Sequence, residues 1–300
     1  MTDSKQPNMK IGVIGIPGKW STETLADEVE QRTGYRLVID MADTLLDLSA
    51  GRLMYGEHDL CQLDGLLVKK ISAEYSPNTI DRLELLRIAE GAGVRVFSRA
   101  ENILRLVDRL SCTVTLRNAD IPMPDTRVTE SIEAAMTAVD EFGSAVFKPL
   151  FSTKARGMCI INADDPDRET AIRAFHELNP MMYIQRRIDL SGRDLGMIFL
   201  AGEYLGTYAR VSGGDAWNTT INSGGKYAKF EPEPEVIELA RRAQAPFGMD
   251  FTTVDVAETP DGPIVFEVSA FGGFRGAKEG TGINAAALYA EHAIRELSSK

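Results

Sequence analysis

The sequence predicts an α/β protein with a parallel N-terminal unit followed by α+β lobes. Three observations predict it. Strand-like and helix-like runs alternate over about the first 100 residues, the pattern of a small parallel α/β domain. A proline-locked connector, Ile121-Pro122-Met123-Pro124-Asp125-Thr126, then separates that region from a second α/β unit. From Met182 onward strands dominate, ending in a hairpin that carries two acidic residues.

In the first unit, Lys10–Ile16 reads as a buried strand, and Ser21 as the N-cap of a helix through about Gln31. Leu37–Ile39, Gly65–Lys69 and Gly93–Phe97 read as further strands, and Arg82–Glu90 as a helix. Gly12, Gly15 and Gly18 are spaced three apart, so the G-x-G-x-x-G fingerprint is not met. Val13 and Trp20 stand where a P-loop needs Gly and Ser or Thr. The loop is either an anion cradle at a helix N-terminus or a purely structural turn.

Glu101–Asn118 reads as one helical stretch. Beyond the connector come a strand at Ala145–Leu150, a loop from Phe151 to Gly157, a returning strand at Met158–Ile161 and a helix from about Asp167 to Leu178. Strands follow at Met182–Ile188, Met197–Ala201 and Tyr204–Val211. The remainder reads as a helix at Glu235–Ala245, the hairpin, and a last helix at Asn284–Leu297.

The bulk numbers exclude several classes. With 300 residues, 44% hydrophobic and 26% charged, the chain reads as globular. A net charge of -11 argues against a general nucleic-acid binder. No apolar run approaches the roughly 18 residues of a membrane span, and Met1–Lys10 lack an apolar signal core. Cys61, Cys112 and Cys159 have no zinc-site spacing and read as reduced thiols. A cytoplasmic location is expected.

The chemistry concentrates in the hairpin. Phe251–Val256 and Pro263–Ser269 flank the turn signal Pro260-Asp261-Gly262. If Thr259 pairs with Pro263 around a three-residue loop, Asp255 falls opposite Glu267, and a one-residue slip breaks that pairing. Two carboxylates in apolar runs are costly without a positive partner, and a divalent cation suits hard oxygen ligands. The alternative is two solvent-facing acids. Lys148 lies inside an apolar strand, before a loop with Ser152, Thr153, Lys154, Arg156 and Gly157 that suits a flap over phosphates. The alternative is a solvated tip with an edge lysine. Arg210 ends another strand, where a planar cation can stabilise charge on a transferring phosphoryl group or make a surface ion pair.

In this order the residues resemble the ATP-grasp superfamily, and within it the RimK-like amino-acid ligases. The matches are Lys148-Pro149-Leu150 with the loop to Arg156-Gly157, Tyr183-Ile184-Gln185, Gly192-Arg193-Asp194 and Tyr208-Ala209-Arg210. They continue through Trp217–Thr220, Gly224-Gly225, Val254-Asp255-Val256, Phe266-Glu267-Val268 and Thr281-Gly282-Ile283. Residues 272–279 also resemble a small subgroup called the GAK system.

The resemblance implies an ATP-grasp fold. A Rossmann-like pre-ATP-grasp domain would span 1–105, a small lid subdomain 106–182, and a C-terminal subdomain with the metal site 183–300. It implies ATP with Mg²⁺ or Mn²⁺. Lys148 and Arg109 would contact the nucleotide, and the backbone at Gln185, Arg186 and Arg187 would form the adenine hinge. Asp194 would bind ribose, and Asn218, Thr219 and Thr220 would approach the phosphates. Asp255, Glu267 and Ser269 would hold metal, and Arg210 would stabilise the transferred phosphoryl group. The implied reaction joins a small-molecule or peptide carboxylate to an amine through an acyl phosphate; a homodimer is common among similar proteins. Ser269 stands where the family has Asn, Gly196 where it has Arg, Thr220 where it has Asn, Ser223 where it has Arg and Arg186 where it has Glu. Arg109 replaces a Lys. These departures keep open a nucleotide-binding regulator with little or no turnover. A scaffold without nucleotide would leave Lys148 and the acid pair unexplained.

Overall fold

A computed structural model describes residues 9–153, 155–190, 192–212 and 224–299. The chain begins with β1 (Ile11–Ile14), α1 (Trp20–Thr33) and β2 (Val38–Ile39). Next come β3 (Thr44–Asp47), β4 (Arg52–Tyr55), β5 (His58–Asp59) and β6 (Gly65–Val68). α2 (Pro77–Gly91) and β7 (Arg95–Phe97) complete this part. A parallel sheet has the order β2-β1-β6-β7, and every residue of β1 and β6 is buried. Such continuous apolar runs are what a strand covered on both faces requires.

The sequence reading located these strands to within two residues at either end. It did not find β3-β4-β5, a small antiparallel sheet whose loop side exposes Leu45 and Leu48. Apolar residues that face solvent give no inward–outward alternation to read. Ser21 is not the N-cap of α1. The helix starts at Trp20 behind Lys19, which makes no capping bond, and ends at Gly34 in the left-handed region with φ 74°.

The expected single helix at 101–118 is two: α3 (Ala100–Val107) and α4 (Arg109–Asn118). Asp108 breaks them with φ -85° and ψ 115°, and its carboxylate accepts the Leu110 N–H to start the second. The break places Arg109 at the mouth of α4, facing the flap that follows Lys148.

The middle of the chain runs through β8 (Thr126–Thr129), α5 (Ile132–Phe142), β9 (Ser144–Lys148), β10 (Cys159–Asn162), α6 (Arg168–Leu178) and β11 (Met182–Arg186). Its antiparallel sheet has the order β10-β9-β11-β8, with Phe142, Phe175 and Ile172 of the two helices in its core. A division of the chain between 182 and 183 would cut β11.

The last part holds β12 (Arg193–Leu200), β13 (Glu203–Val211), β14 (Lys226–Lys229), α7 (Pro234–Gln244), β15 (Phe251–Thr259) and β16 (Gly262–Ser269). These strands form one antiparallel sheet in the order β14-β13-β12-β15-β16. A short turn, α8 (Phe274–Gly276), widens into a π-turn at Ala277–Thr281 before α9 (Ala285–Ser298). α9 returns to the first sheet. Its Ala286, Tyr289 and Ala293 share a core with Leu25 and Val29 of α1 and Ile11 of β1. The C-terminal edge of the parallel sheet thereby faces the segment that leaves β16.

Candidate active site

The site forms on one face of the β12–β16 sheet, below the β9–β10 flap. Asp255 lies opposite Glu267, as the alternation predicts, though the turn is not the expected one. Thr259 pairs with Gly262, so the loop has two residues, and a β-bulge between Asp255 and Val256 restores the offset. Val256 faces Val265 while Asp255 faces Glu267, leaving Phe266 as the extra residue. Val265 and Val268 are buried in the core, and Phe266 and Glu267 are both half-buried towards the flap. A bulge re-aims side chains in this way beside functional sites. Ser269 follows on the same face, across from Thr253.

Charge neutralisation organises the acids. Arg210 donates to both carboxylate oxygens of Asp194, directly across the ladder, and its Nη2 lies 2.9 Å from Asp255 Oδ2. The second Asp255 oxygen, Oδ1, is buried and has no hydrogen-bond partner among the described residues. Burial pushes the Asp255 carboxyl up to about 7; Arg210 opposes this and the Glu267 charge adds to it. Glu267 is less enclosed and pairs with Arg109 Nη1 at 3.2 Å. The same guanidinium donates to Pro149 O at 3.1 Å and Ser152 Oγ at 3.3 Å, tying α4 to the flap.

Among the described residues no group of three or more His, Cys, Asp and Glu surrounds a common point. Two carboxylates and a hydroxyl are still a fitting donor set, because Mg²⁺ usually takes one or two carboxylates and completes its shell with substrate phosphates and water. The orphaned Oδ1 is the atom that such an ion would satisfy.

Lys148 Nζ donates to Gln185 Oε1 at 2.5 Å and lies 5.4 Å from the Phe266 ring centroid. Burial pushes its amine down to about 7; Arg109 adds to this and Glu267 opposes it. Gln185 is buried, and its amide also donates to Thr126 Oγ1 and Tyr183 Oη. The Arg186 and Arg187 N–H groups are engaged by Asp125 O and Ser144 O. The Arg186 side chain turns outward to Asp125 at 3.0 Å. Asn218, Thr219, Thr220, Trp217 and Ser223 lie outside the described residues.

Sequence reasoning gave no role to two residues here. Tyr208 is buried, and a Cβ on Gly196, Gly276 or Gly280 would come within 2.3–2.4 Å of its atoms. Any side chain at position 196 would therefore compete with the Tyr208 ring for the same space. Lys69 is 6% exposed, and burial pushes its amine down to about 7. Its position at the end of an apolar strand run masked it.

Comparison with known proteins places the chain in a family. The RimK-like ATP-grasp domain family matches residues 107–292. The chain belongs to that family. It is 27% identical over 266 residues to the tetrahydromethanopterin:alpha-L-glutamate ligase of Methanosarcina acetivorans, covering 83% of this chain and 82% of that one. It is 26% identical to the protein of the same description from Methanocaldococcus jannaschii, covering 97% and 100%. A RimK domain ATP-grasp protein from Sphaerobacter thermophilus superposes with a TM-score of 0.71 at 22% identity, covering 95% and 99%. The ATP-grasp ligase PsnB, complexed with a phosphomimetic variant of its minimal precursor, Mg and ADP, superposes with a TM-score of 0.75 at 17% identity, covering 97% and 99%. The chain is thus an ATP-grasp ligase, of the class that joins a carboxylate to an amine. Among the described residues no helix is long and apolar enough to cross a membrane.

Proposed function

We propose that this cleft binds ATP with a divalent cation and activates a carboxylate as an acyl phosphate, which an amine then attacks. The observation that carries this reading is the orphaned Asp255 Oδ1, buried opposite Glu267 and bracketed by Arg210 and Arg109. A divalent ion held by Asp255, Glu267 and Ser269 would supply charge neutralisation for the phosphates. Lys148 and Arg109 bind phosphate oxygens from the flap side, and Arg109 gives up Glu267 to do so. Arg210, oriented by Asp194, lies where negative charge develops on the transferred group and on the acyl oxygen. Gln185, Arg186 and Arg187 form the adenine hinge through backbone carbonyls, since the Arg186 and Arg187 N–H groups are engaged within the sheet. Asp194 also meets the ribose, and Asn218, Thr219 and Thr220 approach the phosphates; these roles rest on the resemblance.

The three larger sheets support a division into an N-terminal domain, a flap-bearing lid and a C-terminal metal subdomain, with the second boundary after β11 rather than within it. The substrates are a small-molecule or peptide carboxylate and an amine. Three free cysteines, two of them buried, support a reducing, cytoplasmic setting.

The test is thermal stability with ATP, with and without Mg²⁺, in the wild type, Asp255→Ala and Glu267→Ala. Ligand at about 100 times its dissociation constant adds roughly 2.7 kcal/mol. A Mg²⁺-dependent shift lost in both variants is expected, with ADP release abolished in Glu267→Ala. No shift in the wild type at millimolar Mg·ATP would sink the proposal. A Mg·ATP shift without ADP release from any carboxylate would instead favour the regulator, the reading to which the Ser269 substitution points.

A further inference from the structure

The lid sheet has two unlike faces. Alternation turns Ala145, Phe147, Met182 and Ile184 into the core shared with α5 and α6. The other face carries Lys148, Tyr183, Gln185 and Thr126. Strand register gathers them: Tyr183 lies across from Lys148, and Gln185 across from Thr126. Tyr183 and Gln185 are each 1% exposed. Polar side chains buried in this way are costly unless each finds partners.

Their hydrogen bonds run in one consistent direction. Thr113 Oγ1 of α4 donates to Arg109 O at 2.9 Å. At its 2.9 Å contact with Tyr183 Oη it therefore accepts, and the phenol donates. Thr126 Oγ1 donates to Pro124 O at 2.9 Å. The Tyr183 and Thr126 oxygens thus offer only lone pairs to Gln185, and each accepts from its Nε2 at 3.2 Å. Both N–H bonds of the amide are used, which leaves its Oε1 to accept from Lys148 Nζ. An amide turned over would set its NH2 against the ammonium and its carbonyl against two lone pairs. Arg109, the other phosphate-side cation, lies 6.0 Å from the centroid of the same Tyr183 ring. A hinge that works through backbone groups needs none of these side-chain bonds.

We propose that Tyr183 is a positioning residue for nucleotide binding: with Thr113 and Thr126 it locks the Gln185 amide, so that a neutral carbonyl holds Lys148 and its remaining N–H groups meet the phosphates. The phosphate contact rests on the ligase reading; the lock rests on the hydrogen-bond geometry alone. A carbonyl oxygen orients the ammonium without cancelling its charge, as a carboxylate at position 185 would. Thr113 carries the lock to the first turn of α4, so one phenol sets both Lys148 and Arg109. Tyr183 itself touches no substrate and acts through Gln185.

The test is a double-mutant cycle read by calorimetry with Mg·AMPPNP, using the wild type, Tyr183→Phe, Lys148→Met and the double variant. Tyr183→Phe keeps the ring and removes only the hydroxyl. It is expected to bind about tenfold more weakly, the scale of one lost hydrogen bond to a charged group, and to cost nothing further once Lys148 is Met. An equal loss in both backgrounds would mark a merely structural residue, and no loss in either would remove the role; both overturn the proposal. Should Tyr183→Phe fail to fold, Thr113→Ser and Thr113→Val carry the same cycle, with serine expected to hold affinity and valine to lose it. Valine binding as tightly as serine would again overturn it. Exchange of the Gln185 side-chain amide protons, read by NMR without nucleotide, should be slow in the wild type and fast in Tyr183→Phe; slow exchange in both would overturn the lock. A wild type that does not bind Mg·AMPPNP yet shows this difference in exchange would strike the ligase reading and leave the lock standing.

Discussion

Replacing Asp255 with Asn should make the nucleotide-free protein more stable while removing its function. Asp255 is 15% exposed at its side chain and has one oxygen without a partner among the described residues. Its folded-state pKa of about 7 stands above the ordinary value of 3.8. A carboxyl raised on folding binds more protons in the native state between those two values. Stability is therefore fully present below about pH 4, falls as pH rises towards 7, and stays low above it. The interval amounts to about 4 kcal/mol at ~1.36 kcal/mol per pH unit. Asn is neutral at all these values and close in shape to the protonated acid, so Asp255→Asn should regain about 2–4 kcal/mol at pH 8. For a chain of this size that is a rise in Tm on the order of 5 °C. Melting curves of both proteins at pH 5, 6, 7 and 8 read the effect, and the two should converge at the acidic end. Adding Mg·ATP should raise the wild type and leave Asp255→Asn unmoved. Parallel curves across this range, or a less stable Asp255→Asn at pH 8, would refute the claim that burial without an ion strains this carboxylate.

Other expectations follow from the same geometry. Lys148 loses its charge as pH rises through about 7, so ATP affinity measured by calorimetry should weaken from pH 6.5 to 8.5; Lys148→Arg should flatten that dependence. Gly196→Ala places a Cβ 2.3 Å from Tyr208 Cζ and should cost roughly 1–3 kcal/mol by overpacking, read as a lower Tm, with Tyr208→Leu in the same chain restoring much of it. Deleting Phe266 should remove the bulge while Asp255 stays opposite Glu267 in a regular two-residue hairpin, so the variant should keep its Mg·ATP shift in a thermal melt and lose only the ring beside Lys148.

The strands of the candidate site were legible in the sequence, but their contacts were not. Asp255 and Glu267 could be paired because alternation and a Pro-Asp-Gly turn constrain a local hairpin. The same information gave the right partner through the wrong loop, since a bulge has no signature apart from the structure that demands it. Lys148 was legible as a charge in an apolar strand, whereas Lys69, at the very end of one, looked like the residue that closes a strand. The break at Asp108 escaped notice because both halves have helical composition and only the cap geometry separates them. Arg210 was identified by position, but its bond to Asp194 joins residues 16 apart across a ladder, and its contact with Asp255 joins a third strand. Those pairings belong to the sheet order, which local patterns do not encode.

The bulge at Phe266 links two places in the chain that would otherwise vary independently. A three-residue turn with no bulge spans the same number of residues between Asp255 and Glu267 as the present two-residue turn with Phe266 bulged out. Among descendants of a common ancestor, insertions at the turn should therefore accompany deletions at the bulge, keeping the spacing between the two acids' partners constant while both flanking lengths drift. An alignment that scores these as separate gaps would misplace Glu267 by one position and read an intact site as a broken one.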